Sequence, residues 1–195
     1  MSDSTQAGPF WRTFYKHWES WLVSIVFLIL GYYVNEFASH KAMSIELASE
    51  ISFDTADYKG PGLKIVYGET PIAKLSKIVV RVRNDGRVPI NAADFERDIE
   101  ITFPNVQVLY VEIESRTPEN LAPSVKQGKG EKDAGKIVIE KILLNSGDSF
   151  DLAVVLIGNV TSVPKVNARV SGVPTIQVQD KRLGRNTRNS KIAVR

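Results

Sequence analysis

Twenty residues near the amino terminus, WESWLVSIVFLILGYYVNEF from Trp18 to Phe37, constrain the fold of this chain most strongly. Between Trp21 and Val34, only Ser24 and Gly31 interrupt the apolar run. A helix of this core length spans about 21 Å, and the flanking aromatic residues extend it toward the roughly 30 Å of a bilayer's hydrocarbon layer. The stretch therefore predicts one transmembrane helix over residues 18–37.

Aromatic residues at both ends of this stretch are typical of membrane–water interfaces. The predicted membrane-anchor residues are Trp18, Trp21, Phe27, Leu28, Tyr32 and Tyr33. In residues 1–17, Phe10, Trp11 and Phe14 recur at helical spacing, which predicts an interfacial helix before the span or, as the alternative, an extension of the transmembrane helix itself. A cleaved signal peptide and a buried core helix are the alternatives, but the stretch has no clean small-residue cleavage site.

The charges that flank the span do not decide which side of the membrane the rest of the chain occupies. Arg12 and Lys16 precede the span and Lys41 follows it, a small excess on the amino-terminal side. We expect a single-pass protein of the cell (inner) membrane, with the lipid bilayer as one partner and the side of the soluble domain open.

The net charge of +3 is concentrated at the carboxyl terminus. Residues 180–195 carry six basic side chains and one acidic one, which leaves 19 basic and 21 acidic side chains in the rest of the chain. This distribution argues against nucleic acid as a partner of the body. The segment is predicted to be a basic, disordered tail, whose main basic residues are Arg182, Arg185, Arg188 and Lys191.

Between the span and the tail, the hydrophobic period changes from helical to two. After a predicted helical stalk over residues 38–49, the segment LSKIVVRVRN places Ile78, Val80 and Val82 on one face and Lys77, Arg81 and Arg83 on the other. Further short β-branched runs follow up to residue 179, without amphipathic helices between them. Residues 50–179 therefore predict an antiparallel, immunoglobulin-like β-sandwich, with a small closed β-barrel as the alternative.

Two connections of the predicted sandwich are candidate binding loops. One is the turn over residues 83–89, which contains Asn84-Asp85-Gly86, and the other is the polar stretch 115–136, predicted to be a mobile loop. Guanidinium and ammonium groups near these loops suit an anionic ligand or the carboxylates of a partner. The candidate ligand-binding or partner-binding residues are Arg81, Arg83, Arg87, Arg116, Lys126 and Lys129.

The residue inventory argues against an enzyme. The chain has no cysteine, and its two histidines, His17 and His40, flank the span, so no catalytic triad or histidine metal site is expected in the β domain. Four carboxylates alternate at Asp94, Glu96, Asp98 and Glu100. We interpret them as a solvated sheet face, with a calcium site as the alternative, and we expect no cofactor and no metal.

Several strings in the β region, RNDGRVPINAADFERDIEITF, SRTPENLAP, ILLNSGDSFDLAVVL and ARVSGV, resemble a recurring bacterial β-sandwich pattern that follows one amino-terminal span. The resemblance covers residues 45–178. It implies a bacterial, membrane-tethered module and no particular reaction. We therefore expect a non-enzymatic binding or sensing module that recognises a protein or a small anionic ligand. A clustering membrane effector that forms homo-oligomers is a variant of this expectation, and a structural subunit of a bacterial envelope complex is the alternative.

Overall fold

Two units make up the chain, Met1–Ser39 and His40–Arg195. The computed structural model describes residues 9–54, 65–128, 134–182 and 190–191. The first unit contains a single described helix, α1 (Pro9–Ala38). The second unit is mainly β, as the period-two pattern predicts.

The large apolar side chains of helix α1 are exposed. Every large apolar side chain that is described from Trp18 to Val34 is exposed, by 48% to 74%. α1 is continuous from Pro9, so the described residues show no boundary at residue 18 between an interfacial helix and a second one. Within the described ranges, no helix combines the length and the mean hydropathy that crossing a membrane requires.

The strands of the second unit are mostly short. They are β1 (Met43–Asp54), β2 (Val66–Tyr67), β3 (Thr70–Pro71), β4 (Lys74–Asn84), β5 (Ile99–Thr102), β6 (Gln107–Thr117), β7 (Val125–Gln127), β8 (Lys136–Ile139), β9 (Ser149–Ile157), β10 (Lys165–Asn167), β11 (Gln177–Asp180) and β12 (Ser190–Lys191). One 3₁₀ turn, Ala92–Asp94, lies between β4 and β5.

These strands form two main sheets. The large sheet has the order β12-β11-β1-β4-β9-β6, and the small sheet has the order β10-β5-β8-β7. β2 and β3 form a separate hairpin. Among the described strands, the two main sheets share no hydrogen-bonded strand pair, which is consistent with a sandwich rather than a closed barrel.

One apolar core joins the two main sheets. On β4 the buried residues alternate with outward ones, so that Ile78, Val80 and Val82 are fully buried, as predicted. The small sheet contributes Ile101 and Ile137 to the same cluster. Burying such a cluster at about 25 cal/mol per Å² of apolar surface is the main force that holds the sheets together.

The predicted stalk over residues 38–49 is wrong in its second half. β1 begins at Met43, and Met43, Ile45 and Leu47 are buried at alternate positions in the core. β1 also pairs in parallel with β11, whereas all sheets were expected to be antiparallel. The other strand pairs of the two main sheets are antiparallel.

The predicted boundaries of the tail and of the long loop also need correction. β11 extends to Asp180, and the Arg182 side chain, only 6% exposed, pairs with Asp180 and with Glu50 of β1. Arg185 and Arg188 lie outside the described residues. In the segment 115–136, β6 continues to residue 117, and β7 pairs with β8 in the small sheet, where Val125 is partly buried against the core.

Candidate interaction surface

The large sheet has one face in the core and one outward face. Because side chains alternate along a strand, the outward face of β4 carries Leu75, Lys77, Val79, Arg81 and Arg83. The register then places outward residues of β1, β9 and β6 beside them. We call this surface the large-sheet outer face. It is defined by the outward residues of β1, β4, β9 and β6.

A polar row crosses this face over four strands. Glu46 of β1 is in register with Arg81 of β4, Arg81 with Asp151 of β9, and Asp151 with Ser115 of β6. Arg81 binds Asp151 with two hydrogen bonds, Nε to Oδ1 and Nη2 to Oδ2, both 2.8 Å long. Ser115 Oγ donates to Asp151 Oδ2 at 3.0 Å, and Lys181 Nζ lies 2.8 Å from Glu46 Oε1.

The electrostatics of the row fix its charge state. The hydrogen bond from Arg81 holds the pKa of Asp151 below its ordinary value, against the opposing effect of burial. The same hydrogen bond raises the pKa of Arg81. Asp151 is 8% exposed, so a bidentate pair here is partly desolvated and stronger than an ordinary surface ion pair.

An apolar area lies beside the polar row, toward the carboxyl end of β1. Ile51 and Phe53 on β1 and Tyr110 on β6 are more than half exposed. Between them lie outward aliphatic residues of the two central strands, each in the half-buried range: Leu75, Val79, Val155 and Ile157. Exposed aromatic and aliphatic side chains next to arginine are the composition found at the centres of protein–protein interfaces.

Charged residues line the β6 side of this apolar area. Lys77 Nζ lies 2.7 Å from Glu114 Oε1, and the Tyr110 hydroxyl donates to Glu112 Oε2 at 3.2 Å. The hydrogen bond to Glu112 raises the pKa of Tyr110, because the carboxylate favours the protonated hydroxyl. β6 is an edge strand of the large sheet, and its charges and two register shifts oppose uncontrolled strand addition.

The six predicted ligand-binding residues do not form one site. Arg81 and Arg83 lie on the large-sheet outer face, where Arg83 pairs with Asp85 at 3.2 Å. Arg116 donates to the carbonyl of Leu121 at 3.3 Å. Three residues of the prediction lie elsewhere: Lys126 pairs with Glu140 beside the small sheet, Arg87 lies within the turn and its N–H donates to the His40 carbonyl, and Lys129 falls outside the described residues.

The predicted binding turn at residues 83–89 is a structural junction. Asn84 is fully buried, and its Nδ2 donates to the carbonyls of Val88 at 3.0 Å and Leu144 at 2.9 Å. Its Oδ1 accepts the Gly86 N–H at 2.9 Å. A Cβ at Gly86 would lie 2.5 Å from the backbone nitrogen of Ala42, so only glycine permits this close approach.

The alternating carboxylates of residues 94–100 do not converge. Asp94 pairs with Lys41 at 2.7 Å, Glu96 with Arg169 at 3.0 Å, and Glu100 with Lys136 at 2.9 Å. The cations lower the pKa values of Asp94 and Glu100. Over the part of the chain that the structure describes, no group of three or more acidic, histidine or cysteine residues is arranged to hold a metal ion.

One surface cleft of about 410 Å³ opens beside the loop that follows β10. It is lined by Glu96, Arg169 and Ser171 and by apolar residues that include Val170 and Ile176. Its two charged side chains bind each other and are both about half exposed. A small polar molecule would have to displace that pair, so this cleft is a weaker candidate than the large-sheet outer face.

Sequence reasoning missed Ile51, Phe53 and Tyr110 as surface residues. The signal in the sequence was that VVRV and LAVVLI carry apolar residues at consecutive positions, and therefore on both faces of the strand. Such a pattern indicates sheets covered on both sides.

No protein-family model matches the chain. No curated protein matches it at a significant level.

Proposed function

We propose that this protein is a non-enzymatic binding module, tethered to a lipid bilayer by α1, that recognises a protein through the large-sheet outer face. The observation that carries the proposal is the exposed apolar area around Ile51, Phe53 and Tyr110, on the same face as the Arg81–Asp151 pair. In this proposal the β domain is an immunoglobulin-like sandwich that serves as a rigid support for that face.

The tether is supported by the composition and the exposure of α1. Its large apolar side chains between Trp18 and Val34 are exposed on consecutive positions, hence around the whole helix. Water opposes such exposure by about 25 cal/mol per Å², whereas lipid chains do not. Trp18 and Trp21 near one end and Tyr32 and Tyr33 near the other suit the interfacial zones of a bilayer.

A protein partner fits the outer face better than a small anion does. A free anion would compete with Asp151 for Arg81, which already has a bidentate carboxylate partner. Contact with a phosphate or a carboxylate does not remove the exposed apolar side chains from water, whereas contact with another apolar surface does, and that burial is favourable. Tyrosine and arginine are also the residue types that contribute most at protein interfaces.

The test is a photo-crosslink on the full chain in native membranes. A benzophenone amino acid replaces Tyr110 on the outer face, and in a control variant it replaces Val138, an outward residue of the small sheet. We expect a discrete adduct at Tyr110 and none at Val138. Absence of an adduct at Tyr110 would overturn recognition through this face. Release of the full chain from membranes by alkaline carbonate would overturn the tether.

A further inference from the structure

We propose that the partner of the large-sheet outer face is a second copy of this chain, docked face to face. This proposal rests on the proposed function, because it names the partner for the same surface. The two-fold axis runs parallel to the strands, between β4 and β9, so that β4 of one copy faces β9 of the other and β1 faces β6.

The register of the large sheet makes this arrangement self-complementary along β4 and β9. Leu75 is in register with Ile157, Val79 with Ala153, and Arg81 with Asp151. Under the two-fold axis each of these residues faces its register partner on the second copy. Apolar residues therefore face apolar residues, and the guanidinium of each copy faces the carboxylate of the other.

One row of the outer strands gives the same result, whereas in the next row Phe53 of one copy faces Gln107 of the other. Ile51 is in register with Lys77, Lys77 with Val155, and Val155 with Tyr110, so these four residues share one row. With β1 facing β6, Ile51 of one copy faces Tyr110 of the other. The Lys77 ammonium lies 2.7 Å from Glu114 of its own copy.

Charge also selects the direction of the axis. A two-fold axis perpendicular to the strands through Val79 would place β4 against β4 of the second copy. Arg81 would then face Lys77, because these residues lie two positions to either side of Val79. Two like charges that face each other disfavour docking. The axis parallel to the strands instead places the Asp151 carboxylate of the second copy opposite Arg81.

The parallel axis also suits two copies tethered to the same bilayer. The chain enters the β domain at His40, immediately before β1, and a two-fold axis along the strands leaves both of these points at the same end of the dimer. The alternative axis would place them at opposite ends. Two tethers in one membrane therefore favour the same geometry as the charges.

The size of the face explains why the tether matters. Four strands about 4.8 Å apart, over eight residues of about 3.4 Å each, make a face of roughly 500 Å² per copy. Two such faces bury about 1,000 Å², which is at the lower limit of specific interfaces. Confinement to a membrane raises the effective concentration of the second copy, so we expect dimers in membranes and monomers in dilute detergent.

Cysteine cross-linking tests this proposal cleanly because the chain has no native cysteine. Two differently tagged copies of the full chain, each with Val79→Cys, are co-expressed and treated in membranes with a short bismaleimide. Val138→Cys is the matched control, since it is also a half-buried outward valine in the middle of a strand. We expect a product of twice the chain mass that carries both tags for Val79→Cys, at least fivefold more than for the control.

A second variant keeps the interpretation independent of folding. Ile51 is 55% exposed, so Ile51→Glu should fold normally and yet reduce the cross-linked dimer by at least fivefold, while Ile51→Val should leave it unchanged. Equal cross-linking at residues 79 and 138, or none at 79, overturns self-association. A photo-adduct at Tyr110 with a different protein, without the dimer, overturns self-association alone and leaves the proposed function standing.

Discussion

Replacing Asn84 with alanine tests whether the junction at the start of the β4–β5 connection stabilises the β domain. Asn84 is fully buried, and its side chain makes three hydrogen bonds, two as donor to the Val88 and Leu144 carbonyls and one as acceptor from the Gly86 N–H. Alanine removes all three, while the Leu144 carbonyl keeps the Ile90 N–H at 2.8 Å and the Gly86 N–H keeps the Ala42 carbonyl at 3.1 Å. The backbone hydrogen bonds of residue 84 remain.

The expected loss follows from the number of bonds. Each net hydrogen bond contributes about 1 kcal/mol, so Asn84→Ala should lower the free energy of unfolding of the β domain by about 3 kcal/mol. With a urea dependence of about 2 kcal/mol per molar, the midpoint of unfolding should fall by about 1.5 M. Far-UV circular dichroism of the full chain in urea measures this shift, because the strands of the β domain unfold in the transition.

Two further variants make the result decisive. Asn84→Asp keeps the acceptor oxygen but faces two carbonyls with a carboxylate, so it should cost at least as much as alanine. Asn167→Ala removes two longer contacts of an exposed asparagine, to Glu100 and Arg97, and should cost less than about 0.5 kcal/mol. A midpoint for Asn84→Ala or Asn84→Asp within error of the Asn167→Ala midpoint would refute the structural role of the junction.

Three other predictions use the same unfolding assay. Asp151→Asn should lower stability at neutral pH. Because Arg81 lowers the pKa of Asp151, the wild type should lose this contribution, and the variant should not, as the pH falls below about 4 through the folded-state pKa. Gly86→Ala, whose Cβ would lie 2.5 Å from a backbone nitrogen, should lower the midpoint more than Gly147→Ala, whose φ is +84° but whose Cβ meets nothing within 4 Å. Arg182→Met should cost about 3 kcal/mol, because it leaves two carboxylates at a site where the guanidinium is only 6% exposed.

Each of these predictions has a clear contradicting result. If the stabilities of wild type and Asp151→Asn fall by the same amount as the pH is lowered, the Arg81 pair does not contribute to the pH dependence. Equal midpoints for the two glycine variants would show that the backbone at residue 86 has room to move. An Arg182→Met variant as stable as the wild type would mean that residues 180–182 behave as the disordered tail that the sequence predicts.

Much of the fold could be predicted because the relevant signal is local. The alternation of Ile78, Val80 and Val82 with charged residues is contained in one strand, and its period of two is confirmed by their burial. β1 was missed because Met43 and Leu47 are four residues apart and therefore also fit a helix that continues α1. Only their packing against β4 distinguishes the two cases.

The candidate surface could not be predicted because it depends on contacts between distant segments. The row from Glu46 to Ser115 requires the register of four strands, which no single stretch of sequence encodes. Arg81 looked available for an anion, but a carboxylate seventy residues away already binds it. The parallel pairing of β1 with β11, between residues more than 130 positions apart, has no local signal either.

Two tyrosines of almost equal exposure provide the most direct measurement of the central claim. Tyr110 on the large-sheet outer face is 53% exposed, and Tyr67 on the β2–β3 hairpin is 52% exposed. Oxidative footprinting of the full chain in native membranes, read by mass spectrometry, compares their labelling rates. If the outer face is occupied by a partner, Tyr110 should be labelled several-fold more slowly than Tyr67 in membranes, and at a similar rate in dilute detergent. Equal labelling of the two tyrosines in membranes would contradict recognition through this face.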